Sequence, residues 1–210
     1  MPREPILKFI KQLDRPVFTT YELSLSSGKS LSVTTQALNH LVKEGVLIKI
    51  ARGIWGEIGN ESLSPFAVIP LLLPRHRVYV SFISSLHMYG IIEQIPQVIT
   101  LASTAHTRKI KTSLGTFQIH RLDPLFFDGF DWYKERGTFL IATPEKALAD
   151  SLYLSACKKK QFGHFPELYF PGSFSFKKVR EWVGKIPNPK IRSNVLKKLN
   201  RIYQESKRPI

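Results

Sequence analysis

The chain has 210 residues, 43% of them hydrophobic and 11% aromatic, which is enough apolar material for a core and excludes a disordered or fibrous chain. A single cysteine, Cys157, excludes an intrachain disulfide and fits a reducing, cytoplasmic setting. The formal charge of +15 points to a polyanionic partner, most often nucleic acid.

Residues 4–13 place Ile6, Leu7, Ile10 and Leu13 at helical spacing, and Asp14-Arg15-Pro16 ends that helix. The charges in this first segment leave no apolar stretch of leader length. Val17-Phe18 reads as a short strand. Thr19 with Glu22 three residues on is a capping box for a short helix over 20–25, followed by a turn at Ser26-Ser27-Gly28. A longer helix is expected over 32–44, with Val33, Ala37, Leu38, Leu41 and Val42 as its apolar stripe and Gly45 as its C-terminal stop. Two strands, 46–50 and 54–57, flank the tight turn Ala51-Arg52-Gly53. Helix, short helix, turn, helix and hairpin is the order of a winged helix-turn-helix, assigned here to residues 1–58.

Gly59 to Ser62 reads as a linker, and a second domain is assigned to residues 63–210. A proline-broken helix is expected over 63–73. Its apolar run, Phe66–Leu73, is far short of the roughly 20 residues a membrane span needs, so no membrane partner is expected. Strands follow at 78–80, 97–102 and 138–142, a helix at 84–89, and a hairpin of 108–111 with 116–120. Thr143 caps a helix with Pro144 at its first position. The chain ends in two basic amphipathic helices, one carrying Phe176, Val179, Trp182 and Val183, the other Ile191, Val195, Leu199, Ile202 and Tyr203. The fold class is therefore α+β: a winged helix followed by a mixed α/β domain with basic terminal helices.

A helix-turn-helix reads DNA by laying its second helix in the major groove. Asn and Gln can bond adenine bidentately, and a Thr methyl can touch a thymine methyl. Thr34, Thr35, Gln36 and Asn39 are the candidates for base contact. Lys29, Ser30, Ser32 and Lys43 suit phosphates, and Lys49 with Arg52 at the wing tip suits backbone or minor groove. A solvated polar face, or a protein-docking module, are the competing readings. Phe18 and Trp55 read as packing residues.

The charge lies elsewhere. Residues 1–60 carry eight basic and five acidic residues, a net +3. Residues 151–210 carry fourteen and three, a net +11. Lys158, Lys159, Lys160, Lys177, Lys178, Arg192, Lys197, Lys198 and Arg201 are the candidate polyanion-binding or acidic-protein-binding surface. On the last helix Arg192, Lys198 and Arg201 read as off the apolar stripe, with Lys197 nearer its edge. No hydrolase elbow, zinc-protease, phosphate-loop or paired-cysteine motif occurs, and the histidines have no metal-ligand spacing, so neither a catalytic set nor a cofactor or metal is expected. The alternative in the enzyme class is a metal-dependent nuclease drawing on Asp128, Asp131, Glu145 or Asp150. The other alternative is a non-catalytic adaptor.

Three segments carry a family resemblance. ALNHLVKEGVLIKIARGIWG at 37–56 begins it. VSFISSLHMYGIIEQIP at 80–96 and RKIKTSLGTFQIHRL at 108–122 extend it, and TPEKALADSLYL at 143–154 completes it. Together they resemble the AbiEi family, antitoxins and regulators of type IV toxin–antitoxin (abortive-infection) pairs. The likeness covers roughly residues 4–155. It implies a bacterial repressor that binds inverted repeats in its own promoter. It also implies an antitoxin that counteracts a nucleotidyltransferase-like toxin, without need of a stable complex. It implies no enzymatic residues.

Overall fold

The computed structural model describes residues 5–133, 139–157 and 165–207. The chain is a mixed α+β protein. It divides into two compact units: Met1–Pro74 with Lys111–Gly115, and Arg75–Ile110 with Thr116–Ile210. No helix among the described residues is long and apolar enough to cross a membrane.

The first unit opens with α1 (Ile6–Leu13), β1 (Val17–Thr19), α2 (Thr20–Ser27) and α3 (Leu31–Lys43), then β2 (Leu47–Ala51) and β3 (Ile54–Glu57). The Thr19–Glu22 capping box forms as the spacing requires. The Thr19 hydroxyl accepts the Glu22 N–H at 3.1 Å, and the Glu22 carboxylate accepts the Thr19 N–H at 2.8 Å. Gly45 follows α3 with φ +72°, a conformation that favours glycine. The three strands form one antiparallel sheet in the order β1-β3-β2, so β1 closes onto the hairpin's second strand. Ile6, Ile10, Phe18, Leu23, Leu38, Leu47 and Trp55 form the core between helices and sheet. Trp55 sits at its centre, and its indole N–H donates to Thr20 Oγ1 at 2.7 Å. Phe18 and Trp55 are both packing residues. The unit continues beyond 59–62 through a 3-10 turn (Pro65–Val68) into α4 (Ile69–Leu72), with Pro70 inside the break expected there.

The second unit holds a six-stranded sheet in the order β6-β7-β5-β4-β9-β8. These strands are β4 (Val78–Val80), β5 (Ile99–Ser103), β6 (Arg108–Thr112), β7 (Gly115–Arg121), β8 (Phe130–Trp132) and β9 (Leu140–Ala142). β4 runs antiparallel to β5 and parallel to β9, and β5 runs parallel to β7. Four helices accompany the sheet: α5 (Phe82–Met88), α6 (Pro144–Ala156), α7 (Phe176–Gly184) and α8 (Pro189–Glu205). β4 turns into α5 at Phe82, whose φ of +58° is rare for a bulky residue and whose ring is fully buried. Helix α6 is central, with ten of its thirteen residues buried and with α5, α7 and α8 packed around it. Val179 and Val183 of α7 and Val195 and Leu199 of α8 are wholly buried in this core, as their spacing predicts. β8 is a strand that the sequence pattern does not signal. It forms by antiparallel pairing with β9, Asp131 opposite Ile141, a long-range partner that local pattern does not reveal.

Candidate functional site

Two features of the molecule concentrate polar chemistry: the outer face of α3, and a closed cluster in the core of the second unit.

Ser30 caps α3, its hydroxyl accepting the Val33 N–H at 3.3 Å. The inner face of the helix is set by Leu38, with Ala37, Leu41 and Val42 packed beside it. At roughly 100° per residue, the face directly opposite is Ser32, Gln36, Asn39 and Lys43. All four are exposed. Thr35 lies on the flank, half-buried, and its hydroxyl donates back to the Leu31 carbonyl at 2.7 Å. Lys29 is half-buried in the turn before the helix, and its carbonyl accepts the Ser24 hydroxyl at 2.7 Å.

Thr34 is a correction. It is 0% exposed and points into the core, four residues before Leu38 on the same face, so it faces no groove. Its hydroxyl has no hydrogen-bond partner in the structure. Val33 is the complementary correction. Expected in the buried stripe, it is 46% exposed, because the helix phase runs through 34, 38 and 41.

The hairpin supplies an exposed Arg52 in its turn. It also supplies an exposed Lys49, whose ammonium lies 5.3 Å from the centroid of the Trp55 ring. α2, the turn at Gly28, α3 and the hairpin are thus joined by one core, with the polar stripe of α3 turned away from it.

Of the second feature, only Asp150 is among the residues singled out from sequence, as a carboxylate of the nuclease alternative. Tyr79, in β4, and Ser81, just beyond it, are two apart and share a face of the strand. Lys146 and Asp150 are four apart and share a face of α6. The Tyr79 hydroxyl donates to Asp150 Oδ2 at 3.0 Å and the Ser81 hydroxyl to the same oxygen at 2.7 Å. Lys146 Nζ bonds Asp150 Oδ1 and donates to the Phe126 carbonyl at 2.9 Å, lying 3.6 Å from the centroid of the Phe126 ring. All four side chains are fully buried. Burial pulls the Lys146 ammonium below its ordinary value and pushes the Asp150 carboxyl above its own, while their mutual attraction opposes both shifts. Burial, then the Asp150 charge, raises the Tyr79 phenol well above the usual tyrosine range. Gly129 roofs the cluster at φ +78°. A Cβ there would stand 2.5 Å from the Trp182 ring and 3.0 Å from Lys146 Cγ.

This cluster is sealed. Neither the open hollow of about 870 Å³ beside α8 nor the smaller one of about 310 Å³ near Trp182 is lined by any of its four residues. Asp150 therefore does not serve as the metal ligand of the nuclease alternative, since both its oxygens are taken by protein donors. Asp128, another carboxylate of that alternative, is exposed and pairs with Lys185 at 3.6 Å. Glu145 accepts the Ser175 N–H at 3.1 Å, bracing the start of α7. Among the described residues no group of three His, Cys, Asp or Glu comes together at metal-binding geometry. The spacing of Lys146 and Asp150 is legible in sequence as a helix pair, but their complete burial depends on the strands laid over them.

No protein-family model matches this chain, and no curated protein matches it.

The basic candidates divide by their contacts. Lys177, Lys178, Lys197 and Arg201 are exposed. Arg192 is committed to its own chain, with Nε donating to the Ile186 carbonyl at 2.9 Å. Lys198 is half-buried and donates to Ser155 Oγ at 2.8 Å. The expected order on α8 is thus reversed: Lys198 lies at the edge of the buried stripe, and Lys197 lies opposite it. Lys158, Lys159 and Lys160 lie outside the described residues.

Proposed function

We propose that the first unit is a winged helix-turn-helix that reads DNA with α3, and that the chain is an autorepressor and antitoxin of a toxin–antitoxin pair. The observation that carries the DNA reading is the exposed stripe Ser32, Gln36, Asn39 and Lys43, opposite the buried side of α3. Two carboxamides one turn apart are suited to adenine edges, and the hydroxyl and ammonium at the two ends are suited to phosphates. Ser30, at the helix start, and Lys49 and Arg52, on the hairpin, complete the set that would touch the duplex backbone. The antitoxin half of the proposal rests on the family resemblance of residues 80–96, 108–122 and 143–154. In this reading the partners are operator DNA with inverted repeats and a nucleotidyltransferase-like toxin, and the chain itself is not an enzyme.

The test is binding of the full chain to a duplex taken from immediately upstream of its own gene, against a scrambled duplex of equal composition. The upstream duplex should bind more tightly. Gln36→Ala and Asn39→Ala should each remove about 1–3 kcal/mol of that preference. Equal affinity for the two duplexes at matched salt would sink the operator reading. For the antitoxin half, co-expression with a neighbouring nucleotidyltransferase-like gene should relieve its growth defect. A defect that persists rejects that half alone.

A further inference from the structure

The outer surface of α8 carries an unusual charge. Over residues 165–207 the chain carries ten cationic side chains against three carboxylates. Among the described residues, the one ion pair made by these cations is that of Lys185 with Asp128. Repulsion in this region is therefore left largely uncompensated within the protein itself.

The arrangement on α8 is regular. Its buried stripe is Val195 and Leu199, with Ile191, Leu196 and Ile202 packed beside it. The opposite face carries Lys190, Asn194, Lys197, Arg201 and Gln204, all exposed. Three cations and two amides thus follow one line for about 21 Å, at 1.5 Å of rise per residue from Lys190 to Gln204. The one carboxylate of α8, Glu205, stands at its C-terminal end, four residues after Arg201, and no large apolar side chain interrupts the line. Arg180 of α7 extends the surface sideways, donating to Asn200 Oδ1 at 3.1 Å. Lys207 adds a further cation 4.5 Å from the Tyr203 ring.

We infer that the outer face of α8 is a phosphate-binding surface for a nucleic-acid backbone. Exposed cations and amides in a line match the chemistry that grips phosphates, although Arg201 at its edge also lines the aromatic hollow of Phe170, Phe174 and Phe176. A protein partner would call for aromatic or apolar anchors at the centre of the patch, and the α8 stripe has none. A membrane surface would need the helix's apolar face, which is already packed against α6. The surface binds without regard to sequence, and it stands whether or not α3 reads bases.

The experiment uses the full chain, a short duplex of arbitrary sequence and a series of salt concentrations. Lys190→Gln, Lys197→Gln and Arg201→Gln are combined in one variant. A control of equal charge change combines Arg108→Gln, Lys109→Gln and Arg121→Gln, three exposed cations of β6 and β7. Each duplex phosphate contact contributes about 0.9 to the slope of log affinity against log salt, so the α8 variant should flatten that slope by up to about 2.7. The control should leave the slope within experimental error. An unchanged slope in the α8 variant, or equal flattening in the control, overturns the inference. So does capture of anionic vesicles with no duplex binding at low salt. A Gln36→Ala, Asn39→Ala double variant should keep the wild-type slope, which separates this surface from the α3 reading.

Discussion

α3 and α8 are built to one plan and carry opposite outer faces. Each is an amphipathic helix whose exposed stripe lies across from its buried one. On α3 that stripe is hydroxyl, amide, amide, ammonium. On α8 it is three cations, with one amide between them and one after. A carboxamide offers a donor and an acceptor in fixed directions and so distinguishes one base edge from another. An ammonium or guanidinium facing a phosphate attracts whatever sequence lies beyond it. Under the two proposals above, choice of site falls to one helix and strength of attraction to the other.

The largest effect is expected where the two helices' supports differ. α8 rests on α6, whose core charge is paired, so removing one partner leaves the other buried alone. Lys146→Met should lower the stability of the second unit by about 3–5 kcal/mol, and adding Asp150→Leu should recover only part of it, because the Tyr79 and Ser81 hydroxyls and the Phe126 carbonyl then lose their partners. Unfolding followed by Trp182 fluorescence would report the loss, while Trp55 in the first unit should keep its transition. A variant as stable as wild type would show that the pair is not ionised in the folded state.

Next in size is a direct exchange of character. Asn39→Lys puts an α8-type group on the α3 stripe. It should cost about 1–3 kcal/mol of sequence preference while steepening the salt slope by about 0.9. Preference and slope both unchanged would mean that position 39 does not face the duplex.

A smaller effect is expected from Tyr79→Phe, which removes one donor to Asp150 and should cost about 1–2 kcal/mol near neutral pH. The folded-state Tyr79 value is raised, so its contribution is present below the unfolded tyrosine value of about 10. It is lost as pH rises above that value, because the unfolded chain ionises first. The gap between wild type and Tyr79→Phe should therefore narrow in alkali. A gap that widens there would reverse the sign of this linkage.

The smallest effect is a gain. Thr34→Val keeps the shape of the side chain and removes a buried hydroxyl without a partner. It should raise stability by up to about 1 kcal/mol and leave DNA affinity unchanged. Weakened binding would return Thr34 to the interface.

The helix starts were legible because their signals are local. Thr19 with Glu22, and Thr143 before Pro144, fix their turns within four residues. Helix phase was less so. Thr34 looks polar and Val33 apolar, and only Leu38 and Leu41, seated in the core, decide which of the two turns inward. β8 was hidden for a different reason, being three residues long and formed against β9 across intervening chain. The β4–β9 pairing and the bonds of Tyr79 and Ser81 to Asp150 rest on contacts about 60–70 residues apart, where periodicity says nothing. The charge imbalance of the last 60 residues was plain in the sequence. Which lysines face outward was not, as the exchange of Lys197 and Lys198 shows.

The two ends of the six-stranded sheet have a consequence for behaviour at high concentration. An open edge strand is a template on which another chain can add its own strand. Here one edge, β6, begins with the exposed charges of Arg108 and Lys109, and the other, β8, is only three residues long with Asp131 at its middle. Neither offers a long, flat, uncharged run of backbone. The sheet is thus closed to growth by charge at one side and by brevity at the other, which guards a strongly basic chain against fibre-like self-joining even when a polyanion gathers many copies together.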